Sequence, residues 1–569
     1  MAEPAVKLEG DWQAIGSVVG TASHAAFSFV LKNYRGRVGD VVAVRMRIPS
    51  DEAGTEKDSV VWGRVTGISR FNPFFPTEAA LELAGENLRP SDTVLSTTRD
   101  QVQADCIVLG YTLPGDPTYE FRPLTYPVEP ASTVLRPPAS ALSGLLTGPA
   151  GAKEAEVPIG HVASRPDVNV NLRVGPLISR HMAILAMTGG GKTVAARTII
   201  HDLAEKGYPV LILDPHGDYL GFYDNRLKLP KGSSVRVFFP HISLSPENSG
   251  IVPVILEKMT AGQTEAQRSA LEQLLKDNPI TTGHTLGEYF GLLRGKAAQK
   301  ANSEGGAGQS KASLFVIMRQ LSIVEAKLRE MGRMNESIRE RIRNVEFEQL
   351  PDSHRAPSQI ISPNQVSILY LGGYDHLTQS TIVSIVLENL FGHRARLDDE
   401  IPPFLTVVEE AHNFIPGGTE SQEETPSLET LRKVITEGRK FGTGLLLVSQ
   451  RPSRLDATLL SQCNTFMVMR LVNPNDQNFV RRVMENMSDE DAALLPAFGP
   501  GSGIVSGQAV RFPLVVNVDR HQEFESSRMG QEDFLTEAAN WEPPRSAAKA
   551  RESDARQAKR ARRRQKRSN

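Results

Sequence analysis

The chain has 569 residues, 40% of them hydrophobic and 23% charged, which is enough for several buried cores and a prior of roughly two to four domains. No run of about eighteen uncharged apolar residues is present, and the opening MAEPAVKLEGDW lacks a basic-then-apolar leader, so the expected compartment is the cytoplasm, with no membrane partner. Only Cys106 and Cys463 occur, which excludes a disulfide framework and a cysteine-built zinc site.

Up to about residue 158, short apolar runs alternate with turn residues: AIGSVVGTAS, VGDVVAVRM, SVVWGRVTGIS, QADCIVLGYT and FRPLTYPVEP. Period-two runs at this spacing predict a small β-barrel over residues 1–158. The Leu/Ser/Gly/Pro-rich stretch PPASALSGLLTGPAGAKEAEVP predicts a linker near residues 140–158. Beyond it, apolar strands alternate with helical segments. HMAILAM, PVLILD, VRVFF, QVSILYLGG, PFLTVVEE, GLLLVSQ and FMVMRL are continuous apolar runs, as in a mainly parallel sheet covered on both faces, and they place an α/β domain over residues 159–520. Residues 260–348 read as a helix-rich insertion with a Gly/Ser/Gln-rich middle, NSEGGAGQSK. The last segment, 521–569, ends in a block carrying eleven Lys or Arg from Arg545 onward against Glu552 and Asp554. Solubility, DNA contact and partner docking all remain open for it.

The strongest signal is AMTGGGKT, Ala186 to Thr193, between the strand HMAIL and the helix VAARTIIHDLAEKG. Consecutive glycines let backbone amides converge on phosphate oxygens at a helix N-terminus, so Thr188, Gly189, Gly190, Gly191, Lys192, Thr193 and Val194 form the expected ATP-binding set. Lys192 is assigned to the β- and γ-phosphates and Thr193 to Mg2+. Ala186 stands where the motif usually has glycine.

Two further strands end in polar residues. FLTVVEEAH carries Glu409, expected in the magnesium shell, and Glu410, expected to orient or deprotonate the attacking water. Aspartate is commoner at the first of these positions, so their division of labour stays open. GLLLVSQRPS ends in Ser449 and Gln450, and Gln450 is assigned as a γ-phosphate sensor. Asp214, His216 and Asp218 in LILDPHGDYL belong to the same strand-end edge, as catalytic helpers or as loop stabilisers. His216 has no second histidine at ligand spacing.

A P-loop followed by LILDPHGDY, VVEEAHNFIP and EGRKFGTGLLLVSQRPS, in that order, closely resembles HerA-type ATPases, of the same broad group as FtsK-like DNA pumps. The resemblance spans roughly residues 160–520. It implies a RecA/FtsK-like motor behind a small barrel, assembled as a homo-hexamer around double-stranded DNA, with ATP between neighbours and an arginine inserted across the interface. Arg439 in GRKFGTG is the candidate finger, with Arg432, Lys440 and Arg451 as competitors, and Arg180, which matches a basic position ahead of the P-loop in relatives, is a candidate nucleotide contact. Such motors serve a separately encoded nuclease or other effector, in end processing or antiphage defence, and no nuclease carboxylate cluster is recognisable in this chain. Two other readings stand beside the translocase: an ATP-regulated ring scaffold for an effector, and a VirB4-like secretion motor.

Overall fold

The structure is a computed structural model that describes residues 11–525 apart from 33–35, 50–55, 72–100, 117–119, 148–154, 245–249, 261, 281–284, 303–307, 343, 397–399, 419–424 and 485–486. The basic C-terminal block, part of the expected linker and part of NSEGGAGQSK lie outside the described residues.

Six strands close into a barrel: β1 (Gln13–Val19), β2 (Ala26–Leu31), β3 (Val41–Pro49), β4 (Glu56–Phe71), β5 (Gln101–Thr112) and β6 (Thr133–Arg136), in the order β1-β2-β5-β4-β3-β6. Alternation drives the closure. In β2 the side chains of Phe27, Phe29 and Leu31 are buried while their neighbours are not, and closing the sheet leaves no unpaired edge. FRPLTYPVEP, expected as a strand, forms only an isolated bridge at Arg122. Pro123, Pro127 and Pro130 lack the N–H donors that a ladder needs. The expected linker also differs in part, since Ala139–Thr147 is a helix that buries Ala141, Leu142 and Leu145.

The large sheet has twelve strands: β7 (Glu156–Val162), β8 (Arg165–Arg173), β9 (Met182–Leu185), β10 (Val210–Asp214), β11 (Ser234–Phe239), β12 (Phe347–Gln349), β13 (Gln365–Tyr370), β14 (Phe404–Val408), β15 (Thr443–Ser449), β16 (Thr465–Met469), β17 (Ser502–Gly507) and β18 (Leu514–Val518). Their order is β12-β11-β13-β10-β14-β15-β9-β16-β17-β18-β7-β8. Every pairing from β12 to β16 is parallel, and β17, β18, β7 and β8 extend the sheet antiparallel. The central strands β9, β10, β14, β15 and β16 are buried at every residue, which is why they read as unbroken apolar runs. Register aligns Leu213 with Val408, Val408 with Leu447 and Ser449 with Leu185, so the carboxyl ends of four strands meet along one edge. Helices Glu265–Asp277, Leu286–Asn302 and Gly308–Arg341 form the insertion between β11 and β12, the first opened by a capping box of Thr264 and Gln267.

Barrel and sheet are joined by a buried ion pair. The Arg64 guanidinium on β4 donates to both carboxylate oxygens of Asp491 at 2.6 and 2.7 Å, and neither side chain is more than 1% exposed. Asp491 also caps its own helix, Asp489–Leu494, with Ser488. Removing one partner strands the other charge in a dry interface. Arg64→Met and Asp491→Leu should each cost about 3–5 kcal/mol in urea unfolding, while the double variant should recover most of that loss.

His181 is a second tie, at the amino end of β9. It is buried at φ +56°, accepts from the Leu445 N–H through Nδ1 at 3.1 Å and donates from Nε2 to the Ile435 carbonyl at 3.0 Å. Burial lowers its pKa from 6.5 to about 4. The unfolded chain therefore binds a proton that the folded chain refuses between these values, so this contribution is complete above about pH 6.5 and is lost as pH falls towards 4. Asp214, raised to about 7 by burial, acts in the opposite sense over much of the same range. The comparison is thus with His181→Asn, which tolerates positive φ and does not titrate. Between pH 7.5 and 5 the wild type should lose about 1–3 kcal/mol more than this variant in denaturant titrations.

Candidate functional site

The P-loop leaves β9 at Leu185 and is fixed by the ends of the flanking strands. The Ala186 N–H donates to the Ser449 carbonyl at 3.2 Å, and the Met187 N–H to the Arg470 carbonyl at 2.9 Å. Gly191, at φ +102°, is the N-cap of the helix Lys192–Glu205, and a Cβ there would stand 2.8 Å from the Gly501 nitrogen. Only glycine fits that turn. The departure at Ala186 is accommodated locally: a Cβ at position 190 would approach the Ala186 methyl to 3.0 Å, and position 190 is glycine.

Lys192, on the first turn of this helix, reaches across to the end of β14. Its Nζ donates to Glu409 Oε1 at 3.0 Å and to Glu410 Oε1 at 3.2 Å. Burial opposes the Lys192 charge, but the two carboxylates outweigh it and raise its pKa. Burial raises the pKa of Glu409 against the pull of Lys192. One ammonium facing two carboxylates leaves the cluster net negative. Glu410 is buried at φ +50°, and its Oε2 makes no hydrogen bond, although His412 Nδ1 lies 3.3 Å away. An orphaned carboxylate oxygen in a net negative cluster beside a phosphate-type loop fits a divalent cation and its water.

Asp214 and Tyr219 complete the edge. The buried Asp214 carboxylate accepts backbone N–H groups from His216, Gly217, Asp218 and Tyr219 at 2.7–3.2 Å, so its geometric part is to hold the turn. That turn delivers the Tyr219 hydroxyl to Glu409 Oε2. His216 is exposed and Asp218 half-buried. On the other flank Thr188 Oγ1 donates to Gln450 Oε1, and His412 Nδ1 lies 3.2 Å from Ser449 Oγ. The edge thus gathers Thr188, Lys192, Glu409, Glu410 and Gln450, with Thr193 on the same helical turn as Lys192. Sequence reasoning did not single out Tyr219 or His412. Tyr219 stands five residues past Asp214 inside the quoted LILDPHGDYL, but its partner is 190 residues away.

Arg439 and Arg180 are not brought to this edge. Arg439 is exposed on the turn Gly438–Phe441 that precedes β15, while Gln450 follows the strand. The seven residues of β15 separate them by about 20 Å. Arg180 directly precedes His181 at the amino end of β9, so it shares the distal edge with Arg439. Of the competing cations, Arg432 pairs with Glu429 and with Asp456, the latter at 3.6 Å, while Lys440 and Arg451 are exposed.

Comparison with known proteins gives the chain its relatives. Residues 157–390 match the family model "Helicase HerA, central domain". A DNA double-strand break repair helicase HerA of Pyrococcus furiosus is 27% identical over 560 residues, covering 90% of this chain and 92% of that protein. A probable helicase of Methanocaldococcus jannaschii is 28% identical over 384 residues, covering 66% of this chain and 68% of its own length. Among solved structures, VirB4 of Thermoanaerobacter pseudethanolicus aligns with 65% of this chain and 98% of its own at 15% identity and a TM-score of 0.44.

Tyr219→Phe keeps the ring and deletes the hydroxyl on Glu409. Losing a buried hydrogen bond to a charged group corresponds to roughly 10–100-fold. That loss should appear as a raised Mg2+ requirement and a lower kcat in steady-state ATPase assays, with binding of Mg2+-free nucleotide nearly unchanged.

Proposed function

We propose, from the premise that this chain is a HerA-type P-loop ATPase, that it moves double-stranded DNA through a homo-hexameric ring and serves a separately encoded nuclease or other effector in DNA end processing or defence. The observation that carries this reading is the separation of the site over two sheet edges. Lys192, Glu409, Glu410 and Gln450 share one edge, while Arg439 and Arg180 occupy the other. Arg439 and Arg180 are about 20 Å from their own subunit's phosphate loop, so a role for them at ATP would fall at a neighbour's P-loop. Such a role for Arg439 fits a ring of subunits. The relation to a DNA double-strand break repair helicase along 90% of the chain supports DNA as the track.

In this reading, phosphate oxygens draw Lys192 away from its carboxylates. Glu410, released from the ammonium and already held at an unusual backbone angle, accepts a proton from the attacking water. Thr193 and Glu409 would hold magnesium, which would supply positive charge to the transferring phosphate. Tyr219 keeps Glu409 turned toward that position. Gln450, bonded to Thr188 across the mouth of the loop, senses the γ-phosphate in this reading. Arg439 of the adjacent subunit spreads its guanidinium over the charge of the transferring group, a task its fixed fork suits better than lysine.

ATPase assays with and without duplex DNA, alongside particle sizing, test the translocase and the ring. Duplex DNA should stimulate hydrolysis by a hexamer-sized particle. A mixing experiment tests the shared site. Glu410→Gln and Arg439→Ala should each lower ATP turnover by about two decades or more. Rings mixed from the two variants contain some interfaces with both residues intact and should regain activity; mixtures as dead as their parents, with subunit exchange verified, would overturn the assignment of Arg439 in trans.

A further inference from the structure

The P-loop helix carries a second cluster of donors on its distal turns, away from the nucleotide edge. His201 and Asp202 lie there, 9% and 6% exposed, and the segment following β18 crosses over them. Thr198 Oγ1 donates to the Asp519 carbonyl at 2.8 Å, the His521 ring stacks on His201 with centroids 4.2 Å apart, and Phe524 packs against both His201 and Phe222. Phe524 is 1% exposed, and its carbonyl lies so close to Gly221 that a Cβ there would meet it at 2.1 Å. Residues 519–525 are therefore a strap seated on the P-loop helix.

Under the strap, one nitrogen of His201, one of His521 and a carboxylate oxygen of Asp202 lie within 4.8 Å of one another. His201 Nδ1 and Asp202 Oδ1 are already 2.7 Å apart. Two more carboxylates stand behind them: Glu205 Oε1 is 3.7 Å from His201 Nε2, one turn along the same helix, and Glu523 Oε1 is 3.6 Å from His521 Nδ1. Imidazole with carboxylate is a borderline donor set, suited to zinc and its first-row neighbours rather than to magnesium, which prefers oxygen and water. The carboxylates also supply the partners that ligating imidazoles ordinarily need for orientation.

We propose that His201, Asp202 and His521 form a binding site for one divalent first-row transition ion of the zinc class, which clamps the strap 519–525 to the P-loop helix. Ligand atoms around zinc at about 2.0–2.1 Å stand roughly 3.3 Å apart, so donor separations of up to 4.8 Å close on binding while the 2.7 Å contact of His201 with Asp202 opens. The stacked His521 ring tilts to aim its lone pair at the ion. Proton and metal compete for one position, so metal affinity rises with pH. The site neither contains nor touches the residues assigned to ATP, so it is independent of the hydrolytic reading.

The test uses the full-length protein, stripped with chelator and then titrated with Zn2+ in excess Mg2+, which fills the hard oxygen sites. The proposal expects one Zn2+ per chain with a Kd of about 1 µM or tighter, weakened at least tenfold by His521→Ala and again at pH 6 relative to pH 8. Zinc should raise the melting temperature of the wild type but not of His521→Ala, whose basal ATPase is unchanged. His201→Ala is the second variant; if it misfolds, the wild type and His521→Ala decide the matter. Absence of stoichiometric zinc in the wild type overturns the proposal, and so does equal binding by His521→Ala, which would locate the metal on other histidines.

Discussion

The nucleotide edge is organised by one buried ammonium between two carboxylates. Lys192 sits on the helix after β9, and Glu409 and Glu410 follow β14, so the cluster exists only because β15 holds those strands in fixed register between them. A slip of one residue in either pairing would turn the acids away from the cation. Tyr219, Asp214 and Gln450 are then arranged around a position that charge alone defines. In the proposed reading the ammonium that would meet phosphate oxygens is held by protein carboxylates, and release of Glu410 would accompany nucleotide binding.

What was legible in the sequence is what leaves a local signature. β9, β10, β14 and β15 are covered on both faces, so their apolar runs are unbroken, and the glycines of the P-loop announce a turn that side chains would block. β7 and β8 were less legible because half-buried antiparallel strands carry the same period-two pattern as barrel strands, and they directly follow the barrel. β6 is four residues long, too short to show a period. FRPLTYPVEP shows the opposite failure, in which hydropathy suggests a strand and three prolines deny it.

Partnerships over long sequence separations left no signal at all. Tyr219 with Glu409, His201 with His521 and Arg64 with Asp491 are pairings of ordinary residues whose meaning lies in the partner. His181 is the same kind of case: as a lone histidine ahead of a strand it looks unremarkable, yet it links the P-loop strand, β15 and the helix leading to Arg439. Both edges of the sheet are thus braced by polar contacts inside an apolar interior. Such contacts contribute geometry more than net stability.

The Arg64–Asp491 pair also bears on how the chain is made. Its members are 427 residues apart, so the ribosome releases the barrel long before the carboxylate that Arg64 is built to meet. At about 5–20 residues per second, that interval lasts on the order of tens of seconds. Throughout it, the nascent barrel carries a cation on a surface that is ultimately dry, and solvation of that charge favours keeping the surface open to water. The pair can therefore close only after Asp491 has been made, when most of the α/β domain is already synthesised.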